Sequence, residues 1–179
     1  MKEKTNGGFT LVEILVVIAI LGILMAMMIP ASGVILQKAK KSTARSGAMI
    51  VETGLAKYRM EYGVWPDFAK GKGKKHLTDS EFLETMMPKG DGAPPADNLK
   101  RVRFIEGSKE TVKDGQFVDP WGHPYQYLVN ETPKDAMELG SFGNGYDGEK
   151  TIRAKALVWS AGPDGKHETW EDNVCGWTD

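Results

Sequence analysis

From Phe9 to Ile29 the chain carries one ionisable side chain, Glu13, in an otherwise apolar run. At about 1.5 Å rise per helical residue the run spans about 31 Å, the hydrocarbon thickness of a bilayer. It is a plausible membrane span. An acid inside such a span costs roughly 2.5–3.5 kcal/mol on insertion scales, so Glu13 marks a function or a partner rather than anchoring alone. The partner that would neutralise it is a cation from another chain. An ordinary secretory signal fits poorly, because its apolar stretch is about 7–15 residues long and leads to an A-x-A-like cleavage site. A simple anchor, with Glu13 snorkelling to the interface, is the bland alternative.

Beyond this run about 150 residues remain, enough for one domain with a core but not comfortably for two. The formal net charge of −1 shows no basic excess, so no nucleic-acid partner is expected. The single cysteine, Cys175, excludes an intramolecular disulfide and reads as a packed or idle thiol. His167 and Cys175 together fall two ligands short of a tetrahedral zinc site.

The helical pattern continues past Pro30. Ala44, Ala48, Val51, Leu55, Tyr58 and Tyr62 recur at spacings of three and four, which puts them on one helix face that should pack on the soluble domain. Gly47 and Gly54 interrupt that helix at about 1 kcal/mol each relative to alanine, so they either permit close packing or mark flexibility. Gly63 and Pro66 stop it. Lys70 to His76, rich in lysine and glycine, reads as a solvated loop, with contact to an acidic partner the minority view. Thr78-Asp79-Ser80-Glu81 caps a short helix over Phe82, Leu83, Met86 and Met87. Pro88 to Pro95, Asn144-Gly145 and Asp147-Gly148 read as turns.

Asp119-Pro120-Trp121-Gly122 makes a turn into a strand at Gln126–Val129, and a second strand is expected at Lys155–Ser160. The two can pair as a small antiparallel sheet lying on the helix, which makes the chain α+β. After the second strand comes Ser160-Ala161-Gly162-Pro163-Asp164-Gly165, then Glu168, Glu171, Asp172 and Asn173. A glycine-rich acidic loop supplies the oxygen ligands that Ca²⁺ prefers, although its spacing is not that of an EF-hand. A solvated acidic loop is the other reading. No enzyme is expected, since His76, His123 and His167 are scattered and no Gly-x-Ser-x-Gly or Walker sequence is present.

Gly7-Gly8-Phe9-Thr10-Leu11-Val12-Glu13-Ile14, with the apolar run behind it, resembles the class III signal of type IV pilins and type II secretion pseudopilins. That resemblance implies cleavage after Gly8 by a prepilin peptidase on the cytoplasmic side and methylation of the new amine on Phe9. It implies that Glu13 pairs with the N-terminal amine of a neighbouring subunit in a filament core. The expected division is a leader at 1–8, a transmembrane and filament-core helix at 9–30, and a periplasmic domain at 31–179. Gly22 and Pro30 match helix breakers in the family's anchor.

The segment Asp119-Pro120-Trp121-Gly122-His123-Pro124-Tyr125-Gln126-Tyr127 resembles the major pseudopilins of type II secretion, and so favours the secretion branch over ordinary pili. Those proteins have a calcium loop where this chain has its acidic one. Carried over, Asp164 and Asp172 are the ligand acids. Asn173 stands for a second late acid, Glu171 is placed to compensate, Glu168 replaces a glycine, and Trp170 looks like an insertion. The resemblance implies a pilin-like fold and a structural subunit, held in the inner membrane by one span. Its expected partners are copies of itself, other pseudopilins and an inner-membrane assembly platform, in a periplasmic filament that drives protein export. The alternatives are a type IV pilin for adhesion, motility or DNA uptake, and a membrane-tethered binding domain that never polymerises.

Overall fold

The computed structural model describes residues 8–90, 92–132, 136–138 and 151–177, and leaves the side chains of 26–32 outside the description. Gly7 of the cleavage motif, the Pro30 side chain and the turns expected at Asn144-Gly145 and Asp147-Gly148 therefore lie outside the described residues. Contacts divide the chain into two compact units, 1–39 and 40–179.

A single helix, α1 (Leu11–Tyr62), supplies residues 11–39 of the first unit and opens the second. It is continuous across Gly22 and Pro30. Its start is a reciprocal cap: Thr10 Oγ1 accepts from the Glu13 backbone N–H at 3.3 Å, and Glu13 Oε2 accepts from the Thr10 N–H at 2.8 Å. Its end is at Gly63, whose φ of +74° is the left-handed turn that a helix stop requires. The Gly63 N–H closes on the Arg59 carbonyl at 2.9 Å.

Among the described residues, eight short strands and one further α-helix follow: β1 (His76–Leu77), α2 (Ser80–Met86), β2 (Val112–Lys113), β3 (Gln116–Phe117), β4 (Gln126–Val129), β5 (Met137–Glu138), β6 (Thr151–Ile152), β7 (Ala156–Ser160) and β8 (Val174–Cys175). The main sheet is antiparallel throughout, in the order β1-β4-β7-β8. Its centre is the β4–β7 pair, with Tyr127 opposite Val158 and Leu128 opposite Leu157.

Alternate side chains of a strand point to opposite faces, and here both faces are covered. Tyr127, Val129, Ala156 and Val158 join the core built on α1, where Ala48, Val51 and Leu55 are fully buried. Leu128, Leu157 and Trp159 join a second cluster with Met137 and Trp170, against which Cys175 and Trp177 pack. That two-sided burial explains why β7 is buried at every position although it lies in a small sheet.

The helix face and the strand at Gln126–Val129 are as expected from sequence, and the strand at Ala156–Ser160 begins one residue later than expected. Asp79 caps α2, with Oδ1 accepting from the Phe82 N–H at 3.1 Å. His76 departs from the solvated-loop reading: it opens β1, and its half-buried ring stacks on Tyr127 with centroids 5.6 Å apart. Thr78 does not cap but ties two segments, donating from Oγ1 to the Phe117 carbonyl at 2.6 Å and accepting from the Tyr125 N–H at 2.9 Å.

Candidate functional site

In the first unit, Gly8 and Phe9 precede the helix, Phe9 exposed, and Glu13 sits in the first turn of α1. Glu13 Oε2 accepts from both the N–H and the hydroxyl of Thr10, each at 2.8 Å. Thr-x-x-Glu is a capping box, which satisfies two groups at a helix start and fixes the acid there. Thr10 is the residue that sequence reasoning missed, and the Thr-x-x-Glu spacing of three was its signal. Leu11, Val12, Ile14, Leu15, Val17, Ile18, Leu21 and Leu24 are all about half exposed or more, and they lie on every side of the helix. A helix that is apolar all round demands an apolar medium or other helices around it. Over the described side chains alone, no helix is long and apolar enough to cross a membrane. The span expected at 9–30 runs into residues whose side chains are not described.

In the second unit, the two motifs that sequence reading treated separately are joined. Asp119 is buried, and its Oδ1 accepts from the N–H groups of Trp121 and His123, each at 2.9 Å. Its Oδ2 accepts from the hydroxyl of Ser160, itself fully buried at the end of β7. Ser160 Oγ in turn accepts from the Gly162 N–H at 3.0 Å. His123 Nδ1 donates to the Gly162 carbonyl at 3.1 Å, and the His167 ring is bonded to the Pro124 backbone. The Asp-Pro-Trp-Gly turn is thus the wall against which the acidic loop is built. An aspartate in such a turn is expected to bond its own backbone. Its partner Ser160, forty-one positions on, has no sequence signal.

Within the loop, Asp164 closes its own turn: Oδ1 accepts from the Lys166 N–H at 2.8 Å and Oδ2 from the Thr169 hydroxyl. The Thr169 hydroxyl, and then the Lys166 N–H, hold its carboxyl below the usual range. Asp172 Oδ2 accepts from the Asp164 N–H at 3.1 Å, so the structure brings these two acids together. Gly162 allows it, because a Cβ there would stand 2.4 Å from the Asp172 carbonyl oxygen, and its φ is +67°. The Asn173 amide donates to the His167 carbonyl at 3.0 Å, while its Oδ1 is buried with no hydrogen-bond partner. Glu171 is exposed. Trp170, which looks like an insertion beside the family loop, is 7 % exposed and packs on Trp159 at 5.5 Å.

The donor set is one of hard oxygens, and the orphaned Asn173 Oδ1 is the observation that fits a bound cation. Carboxylates alone do not make the site, since among the described residues no three of His, Cys, Asp and Glu stand close enough to share a metal. A cation here would need Asn173 and main-chain carbonyls beside Asp164 and Asp172. Burial lowers the pKa of His167, whose half-buried ring lies edge-on to Trp159 at 6.3 Å, so it reads as a packed residue.

An apolar helix that opens on an acid, and whose following half packs on a small antiparallel sheet, defines a pilin-like subunit. Residues 4–29 match the prokaryotic N-terminal methylation motif, a segment that contains Gly8, Phe9 and Glu13. Over 80 % of its length the chain is 31 % identical to the type II secretion system core protein G of Pseudomonas aeruginosa, covering 89 % of that protein. The proteins of the same name from Vibrio cholerae and Aeromonas hydrophila are 30 % and 29 % identical, each over 83 % of this chain and 86 % and 89 % of their own length. No solved structure matches the chain significantly. The chain belongs to the type II secretion system core protein G family, the major pseudopilins.

Proposed function

We propose that this protein is a structural subunit of a pseudopilus that polymerises in the periplasm to drive protein export by a type II secretion system. The observation that carries the reading is the N-terminal helix: apolar on all sides and opened by one capped acid, within a segment that matches the methylation motif. A helix of that kind is stored in a bilayer and released into a filament core of identical helices. A prepilin peptidase cuts after Gly8, Phe9 is methylated, and residues 9–30 form a single span with the domain at 31–179 in the periplasm.

Glu13 is the assembly residue. Its carboxylate accepts the N-terminal amine of the neighbouring subunit's Phe9, which neutralises two charges in an apolar core. The capping bonds to Thr10 hold the carboxylate at the helix end where that amine arrives. Other pseudopilins and an inner-membrane assembly platform complete the partner set. The relatives are named for a secretion-system core protein and not for a catalytic activity, and the chain's role is structural. The acidic loop binds Ca²⁺ through Asp164, Asp172 and Asn173, with Glu171 supplying charge at the rim.

The test is assembly with insertion measured alongside it. Glu13→Leu should insert in the membrane as well as the parent or better, because a charge in the span is removed. It should fail to give subunit-to-subunit cross-links. Intact mass of membrane-extracted protein should show a chain beginning at methylated Phe9. Unchanged cross-linking in Glu13→Leu would leave a simple anchor, and a mature start beyond Pro30 would remove the filament reading altogether.

A further inference from the structure

Behind the apolar run, α1 carries a concentration of charge that neither the methylation motif nor the acidic loop uses. From Ile14 to Val51 the chain has no Asp or Glu, and its ionisable residues are Lys38, Lys40, Lys41 and Arg45, in a chain whose formal net charge is −1. All four lie in α1. Lys38 and Lys41 are exposed and Lys40 is half-buried. Among the described residues the lysines held in ion pairs are Lys70 and Lys100, so Lys38, Lys40 and Lys41 have no acid to neutralise them there. The residues just before them are apolar and open: Val34, Ile35 and Leu36 are 60 %, 65 % and 59 % exposed.

Exposed apolar residues followed at once by cations without acids make the pattern of a membrane surface, where the first group sits among headgroups and the second meets their phosphates. Helix length puts them at that level. With residues 9–30 filling the hydrocarbon, residues 31–36 rise about 9 Å and cross a headgroup layer about 5–7 Å deep, so Lys38 emerges at its outer edge. Helical side chains lean toward the N-terminus, and lysine stems can lie along apolar surface, so these lysines reach back toward the phosphates. From Lys38 to Lys41 the helix rises about 4.5 Å, less than the Debye length of about 8 Å, and all three act on one layer of charge. At about 100° per residue, Lys38 and Lys41 stand about 60° apart and Lys40 lies on the other side of the helix, so the charge rings it. Insertion does not account for them: cations beyond a span on the side away from the cytoplasm run against the positive-inside bias.

We propose that Lys38, Lys40 and Lys41 form a collar that binds the phosphates of anionic lipid headgroups at the periplasmic surface of the membrane. The proposal rests on the reading of residues 9–30 as a span with the following domain in the periplasm. The contact fixes how far the helix stands out of the bilayer, and it is given up when the subunit leaves the membrane for a filament.

The experiment reconstitutes the full chain in phosphatidylcholine vesicles and compares spin-labelled phosphatidylglycerol with spin-labelled phosphatidylcholine by electron paramagnetic resonance. The fraction of each lipid immobilised by the protein gives its relative affinity. Phosphatidylglycerol should be preferred severalfold at low salt, and the preference should fall toward one in 1 M salt, where the Debye length is about 3 Å. The triple variant Lys38→Gln, Lys40→Gln, Lys41→Gln should lose it. Two double variants should keep it: Lys72→Gln with Lys74→Gln, in the loop before β1, and Lys2→Gln with Lys4→Gln, in the leader. Retention of the protein through a carbonate wash is measured on the same vesicles. A chain that washes off refutes the span and the collar with it, whereas a retained chain with no preference, or with one that survives the triple variant, overturns the collar alone. Loss of subunit cross-links in the triple variant at unchanged lipid preference would also overturn it, and would assign the lysines to an acidic face of a neighbouring subunit.

Discussion

Gly47 lies in the middle of α1, where glycine is about 1 kcal/mol worse than alanine in an exposed helix interior. By propensity alone Gly47→Ala should stabilise the protein. In the structure a Cβ at that position would stand 2.0 Å from the Tyr125 hydroxyl oxygen and 2.7 Å from Cζ, well inside contact distance. Tyr125 is buried, lies against Phe117 at 5.8 Å, and donates its hydroxyl to the Ala44 carbonyl at 3.1 Å. It has little room to retreat. Forcing it away costs about 1–3 kcal/mol of overpacking and about 1 kcal/mol for the lost hydrogen bond, against about 1 kcal/mol returned by helix propensity. The net expectation is destabilisation of about 1–3 kcal/mol.

Urea unfolding followed by tryptophan fluorescence measures it as a lowered midpoint at unchanged slope. Gly33→Ala, where nothing lies within 4 Å, is the control and should not lower the midpoint. Tyr125→Phe removes the closest atom, so the double variant should cost less than the two singles added. A Gly47→Ala protein as stable as Gly33→Ala would refute the close approach of helix to sheet at this point.

Asp119→Ala should destabilise by about 2–4 kcal/mol, because three donors lose a buried acceptor, whereas Asp119→Asn keeps the Oδ1 acceptor for Trp121 and His123 and should cost less; thermal melting ranks the two. Burial lowers the pKa of both His76 and His167, so below about pH 6.5 the unfolded chain binds more protons than the folded one and stability falls as pH drops. Unfolding midpoints between pH 7 and pH 5 should show that fall, and His167→Gln should flatten it. Calcium at about 100 times its dissociation constant should add roughly 2.7 kcal/mol to stability. Asp164→Ala should abolish that response and Lys72→Ala should keep it, while identical melting in calcium and in chelator would show a loop held by Trp159, Trp170 and β8 alone.

Features that depend only on neighbours along the chain are legible before any fold is known. The apolar run with Glu13, the three-and-four spacing from Ala44 to Tyr62, the Gly63 stop, the Asp79 cap and the strand at Gln126–Val129 are all local, and periodicity or cap chemistry reports them directly. The capping box of Thr10 and Glu13 was equally local, and its signature was there to be seen. Tertiary structure decided the rest, because those contacts join residues far apart in sequence. Whether Gly47 and Gly54 meant flexibility or close packing was open until Tyr125 and Ile105 were found against them. Two-residue strands such as β1 and β8 are too short for any period to show, and they exist because β4 and β7 offer them an edge. That Trp170 is buried shows only when the second core is seen around it. The bond from Asp119 to Ser160 makes one structure of two motifs, and no pattern within either could have announced it.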